Sequence, residues 1–195
     1  MNPRRFALFA VAAIAATALG VSSLPRVAQA AVTVIGSGPA QLCYDGAENG
    51  NDPGEYLYYC TTALGGVLST HDRAATFINR GVLRLALNET NPALDDFNSG
   101  LAIDPDLGEG YIDRGASLIE KKQYGEAIIS IDKGIALGAK RPALAYYDRA
   151  IADEGIGDIP SAYRDYQQAL VAQPGFAMAS DELKRFKVVR KTDGS

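Results

Sequence analysis

The 195-residue sequence predicts an all-α protein in which three helix–turn–helix units stack as a solenoid. Three observations predict it. Segments 77–105, 111–139 and 146–174 align with one another at offsets of 34 and then 35 residues. Small residues recur at two fixed points of that period: Gly81, Gly115 and Ala150, then Ala93, Ala127 and Ala162. A large residue follows the second point by four positions, at Phe97, Ile131 and Tyr166, one helical turn along the same face.

The composition suits such a protein and excludes several alternatives. With 47% hydrophobic and 22% charged residues, the chain reads as globular and able to bury a core. Its 19 Lys+Arg against 23 Asp+Glu argue against nucleic-acid binding, which needs clustered bases to displace phosphate counterions. One His and two Cys leave little for a transition-metal site, and no cofactor is expected.

Taken in order, residues 1–30 read as a secretory signal peptide. Arg4 and Arg5 precede the apolar run Phe6 to Leu19, and Ala28-Gln29-Ala30 forms a small-x-small cleavage pattern. The run is too short for a membrane span and ends in Gly20, Ser22, Ser23 and Pro25. Removing it takes away Arg4, Arg5 and Arg26 and no acids, so the remaining chain carries a formal charge of −7 instead of −4. Such a chain is expected in the periplasm or secreted.

Residues 31–73 form a lead-in. Two cysteines in an exported chain most simply pair, so Cys43 and Cys60 are read as a disulfide. A catalytic thiol would want a nearby base, and a gap of 17 lacks metal-ligand spacing. The stretch 31–54, rich in Gly, Asn and Asp, is expected to be irregular. Residues 55–70 have helical apolar spacing and should cap the first unit. The units follow at 74–107, 108–141 and 143–176, each opened by an aromatic (Phe77, Tyr111, Tyr146). Pro105 and Pro174 stop the first and third. A last amphipathic helix, 177–191, should cover the exposed end of the stack.

These residues resemble the tetratricopeptide repeat, and the layout, with a Cys pair before the first unit, more weakly resembles its exported bacterial type. In units counted from Ala74, Gly108 and Ala143, the fourth, eighth, twentieth and twenty-fourth places hold the signature types, and Pro105 and Pro174 hold the thirty-second, from which Ala139 departs. The match spans about 103 residues. The resemblance implies a right-handed superhelix with a concave groove lined by the first helix of each unit.

Constellations for chemistry are weak. Strand-like Val32-Thr33-Val34-Ile35 precedes Gly36-Ser37-Gly38, but Gln41 and the missing βαβ context argue against a dinucleotide loop. Asp45 to Tyr56 has partial calcium-loop spacing, with Ala47 and Tyr56 at ligand places, so a solvated acidic loop is the better reading. His71 has no partner arrangement for nucleophilic catalysis. Arg80 with Asp96 and Arg149 with Asp165 recur at matching places and read as structural ion pairs between paired helices. Ser130 breaks that series opposite Arg114, which leaves Arg114 a candidate ligand contact.

The places that form the family's groove hold Ile78, Asn79, Val82, Ile112, Tyr147 and Ile151. They also hold five acids, Glu109, Asp113, Glu120, Asp148 and Glu154, and no Lys or Arg. Apolar pockets flanked by acids suit a protein or peptide segment that is apolar with some positive charge. The carboxylate clamp with which some members grip acidic chaperone tails is absent, because Ile78, Val82, Leu144 and Asp148 occupy its places. The sequence therefore points to a non-enzymatic adaptor binding a peptide segment in the cell envelope. The alternative is a structural spacer subunit of an envelope complex.

Overall fold

The computed structural model describes residues 9–13, 31–34, 38–49 and 52–190. Most of the expected signal segment, 1–30, lies outside the described residues. The repeats are six helices: α3 (Thr70–Ala86) with α4 (Thr90–Ile103), α5 (Gly108–Glu120) with α6 (Tyr124–Ala136), and α7 (Pro142–Ile156) with α8 (Ile159–Ala172). Each pair packs together, and α4 meets α5 as α6 meets α7, so the units stack in chain order.

The small residues of the period explain the close pairing. A methyl group added at Gly81 would stand 2.5 Å from the Phe97 ring, and one at Gly115 would stand 2.4 Å from Ile131. The two helices of a unit therefore approach to backbone contact where the large residue of the second helix fits over the glycine. Ala93, Ala127 and Ala162, all fully buried, supply the reciprocal narrow surface.

The three turns within the units are one structure written three ways. Asn88, Lys122 and Gly157 take positive φ of 62°, 59° and 84°. Each amide there donates to a carbonyl three residues back, and the next amide donates to one five back, as in Asn88 to Leu85 and Glu89 to Arg84 at 2.8 Å. That pairing satisfies the last carbonyls of the first helix and turns the chain into the second.

The lead-in is more ordered than its composition predicts. Residues 39–49, expected to be irregular, form helix α1 (Pro39–Asn49), and α2 covers Pro53–Gly65 rather than 55–70. Pro39 opens α1, and Ala40, Cys43 and Ala47 recur at helical spacing on its buried face. Ser69 then caps α3, its hydroxyl accepting from the Asp72 amide at 3.0 Å, which places the helix break at 66–69. The Cys43–Cys60 disulfide joins α1 to α2 (Cα–Cα 4.7 Å).

The other end also differs from expectation. The capping helix is short, α9 (Ala177–Leu183), and Phe186–Arg190 is strand β2, paired antiparallel with β1 (Phe9–Ala13). Val188 and Val189 favour extended backbone over helix, and the sequence FKVVR carries them directly after the helix ends. This ribbon is the one departure from an otherwise all-α architecture among the described residues.

Three core clusters correspond to the units. The first joins the lead-in to α3 and α4 through Cys43, Cys60, Ile78, Val82 and Phe97. The second centres on Ile112, Ile119 and Ile131. The third holds Tyr147, Tyr166 and Ala169 with Phe176 and Phe186 packed against it.

Candidate functional site: the concave column and the paired-helix clamps

Arg80, Arg114 and Arg149 face the second helix of their own unit. The Arg80 guanidinium donates through Nε and Nη2 to Asp96 at 2.8 and 2.7 Å, and Arg149 makes the same fork with Asp165 at 2.6 and 2.9 Å. Each guanidinium also lies over the aromatic three residues earlier: Arg80 over Phe77, Arg114 over Tyr111 and Arg149 over Tyr146, 5.0–5.5 Å from the ring centres. Sequence reasoning missed that stack, although the i, i+3 spacing of aromatic and Arg in all three units was the available signal. Such planar, two-toothed pairs fix the helices of a unit in register.

Arg114 belongs to this set and not to the groove. Its Nε donates to the Ser130 hydroxyl at 3.0 Å, and Ser130 in turn donates to the Tyr111 carbonyl at 2.7 Å. Burial without a carboxylate partner lowers its pKa from the ordinary arginine value. The expectation that Arg114 meets a ligand through the groove is thereby corrected: the seventh place of every unit points toward the paired helix.

Three of the five groove acids are tied into the scaffold. Glu109 accepts from the Lys140 amide at 2.9 Å, tying the start of α5 to the segment that follows α6 in the same unit. Glu120 accepts from the Thr90 hydroxyl at 2.7 Å. Glu154 accepts from Tyr166 Oη at 2.7 Å and from Arg185 Nη2 at 2.7 and 2.9 Å, which fastens the C-terminal cap to unit three. Glu109, Glu120 and Glu154 thus work within and between units.

What is left on the inner face is a column at the sixth place: Asn79, Asp113 and Asp148, each at most 1% exposed. Ile78, Val82, Ile112 and Tyr147 beside them are also buried, and Ile151 is half-buried. The Asn79 amide is engaged at both ends, Oδ1 accepting from the Val32 N–H at 2.7 Å and Nδ2 donating to the Val32 carbonyl at 2.8 Å. Neither carboxylate oxygen of Asp148 has a hydrogen-bond partner. Burial first, and the neighbouring charge of Asp113 second, push the Asp148 carboxyl well above the usual carboxylate range.

Among the described residues, no group of His, Cys, Asp and Glu has the arrangement of a metal site, and no helix is long and apolar enough to cross a membrane. His71 is exposed and lies 3.0 Å from Asp104.

A helical-repeat solenoid with a polar column on its inner helices is the class of protein that these features define. No family model matches the chain. The DnaJ homolog subfamily C member 7 homolog of Dictyostelium discoideum is 27% identical over 115 residues, 59% of this chain, and the chain spans only 20% of that relative's length. MamA from Desulfovibrio magneticus RS-1 superposes with a TM-score of 0.61 at 22% identity, covering 74% of this chain and 81% of that one. The Arabidopsis OM64 TPR domain gives 0.57 at 20% identity, with 60% and 96% covered. The first TPR of Spaghetti (RPAP3), bound to the HSP90 peptide SRMEEVD, gives 0.54 at 22%, with 57% and 87% covered. The chain has the tetratricopeptide-repeat fold.

Proposed function

We propose that this protein is a non-enzymatic interaction module of the bacterial cell envelope that holds an extended, apolar and positively charged segment against its inner helices. The observation that carries the reading is Asp148, buried at the sixth place of unit three with neither carboxylate oxygen hydrogen-bonded. Burial without a partner disfavours the charged form of Asp148, and a ligand's ammonium or guanidinium placed against it would restore that form. The acidic end of a peptide such as SRMEEVD supplies no cation for that carboxyl. The similar peptide-bound structure supports the general mode of binding, while the chemistry of the column supports the opposite ligand charge. The Cys43–Cys60 bridge and the leader-like start support a site of action outside the cytoplasm.

The test is fluorescence anisotropy with two labelled extended peptides, alternating Val-Lys and alternating Val-Glu, on the wild-type chain and an Asp113→Asn, Asp148→Asn variant. Neutral isosteres keep the packing, and thermal melting confirms the fold. The Val-Lys peptide should bind at least tenfold more tightly than Val-Glu, and the variant should lose most of that preference. Equal binding of both peptides, or a preference that survives in the variant, would falsify the acidic-column reading. Cross-linking in envelope extract followed by mass spectrometry then identifies the natural partner.

A further inference from the structure

The strand-like sequence that precedes the glycine pair does not cradle a phosphate; it lies against the first repeat. Val32 and Val34 are 6% and 4% exposed, whereas Thr33 between them faces solvent. That alternation is the signature of an extended strand with one face buried. Val32 and Val34 belong to the same core cluster as Ile78 and Val82, the apolar groove places of unit one. Asn79, between these two on α3, reads the Val32 main chain from both sides, accepting its N–H and donating to its C=O.

We propose that the inner face of unit one is a binding site for an extended Val-x-Val segment, recognised through one main-chain residue by Asn79, and that residues 31–34 fill it as an exchangeable occupant belonging to the same chain. This rests on the reading of the inner face as a peptide groove and names the ligand class that its first unit takes. The side-chain demand is met by any small β-branched pair at i and i+2, and the Asn79 contacts require no particular side chain. Among the described residues, the segment's hydrogen bonds to the repeats are those two, and in the sequence it is followed by Gly36-Ser37-Gly38, with Gly38 at φ 95°. A short, glycine-flanked arm held by two amide contacts and two valines can leave without unpicking any helix. A partner that presents the same chemistry would take its place.

Two measurements test this on the full chain. The first is native-state hydrogen exchange of the Val32 amide, whose proton is bonded to Asn79. It should exchange at least 100-fold faster than the amides of buried residues in α3 and α5, because the arm opens without global unfolding. Protection equal to theirs would make residues 31–34 a fixed part of the core and overturn the proposal. The second uses a labelled peptide, AVTVIGSG, and a Val32→Asp, Val34→Asp variant whose own arm is expelled. That variant should bind the peptide at least tenfold more tightly than the wild-type chain, and adding Asn79→Ala should abolish the gain. A variant that loses its helical circular dichroism, or that binds no better than wild type, counts against the proposal. These outcomes are independent of the Val-Lys preference, so the acidic column can stand while the arm's role fails, and the reverse.

Discussion

At the scale of single residues, the inner and outer faces of the repeats divide the charged groups by role. Arginine at the seventh place of each unit is always engaged toward the second helix, and the sixth place is always polar and buried. Asp153 shows what a misplaced carboxyl does in this setting. Burial first, then the charges of Asp165, Asp158 and Asp132 against the lowering effect of Arg149, raise its pKa to about 6. A carboxyl whose pKa is higher in the folded than in the unfolded chain binds its proton more tightly when folded. Its ionisation therefore removes stability as pH rises from about 4 through 6. Asp153→Asn should stabilise the protein by about 1–2 kcal/mol at pH 7, the full shift being discounted for screening by water that reaches the carboxyl, and have little effect below pH 4. Urea titrations at pH 3.5 and 7 read the difference; an equal effect at both pH values would mean that ionisation of Asp153 is not the cause.

At the scale of elements, periodicity made the six repeat helices legible, because Gly81, Ala93 and Phe97 and their counterparts restate one packing solution. The ends have no such redundancy. Helix α1 hid in a stretch of Gly46, Asn49 and Asp45, where turn-forming residues outweigh the Ala40, Cys43, Ala47 stripe unless that stripe is read as one face. The strand at Phe186–Arg190 could not be separated from the preceding helix by charge pattern, since Lys187 and Arg190 fit either reading. The sixth-place column was legible as a set of residues. Its burial and the hold of Asn79 on Val32 depend on contacts between distant segments that no local pattern encodes. The disulfide belongs to this scale too. Closing a loop of this length contributes about 3 kcal/mol by chain entropy. Its strain-free removal as Cys43→Ala, Cys60→Ala should lower stability by that order. Amides of α1 and α2 should lose protection while those of α7 and α8 keep theirs, and a uniform loss across the chain would contradict this local coupling.

At the scale of the whole molecule, the stack behaves as a line of units, each leaning on its neighbours. The third unit has helix-pair neighbours on one side only, and its outer surface is closed by α9 with Phe176 and Phe186. Phe176 meets Tyr147 edge-on at 5.7 Å, and Phe186 meets Tyr166 at 5.9 Å. Phe176→Ala removes a half-buried ring from this seal and should cost about 2 kcal/mol, less than a fully buried phenylalanine would. The loss should appear first as faster hydrogen exchange in α8, with α3 and α4 unaffected. Exchange that rises equally in all units would show that the molecule unfolds as one block and not from its end.

The bridge between Cys43 and Cys60 has a kinetic and stoichiometric meaning as well. It fixes the root of the arm a few residues beyond Val34, so the arm samples only a small volume around unit one. A tether that short corresponds to an effective concentration on the order of millimolar. Any outside segment competes against that figure and not against an empty surface, so its apparent affinity is discounted by the arm's occupancy. If the arm exchanges as proposed, loosening its root by reduction lowers that effective concentration, and the AVTVIGSG peptide should then bind the reduced chain more tightly than the oxidised one, which anisotropy with and without reductant reads.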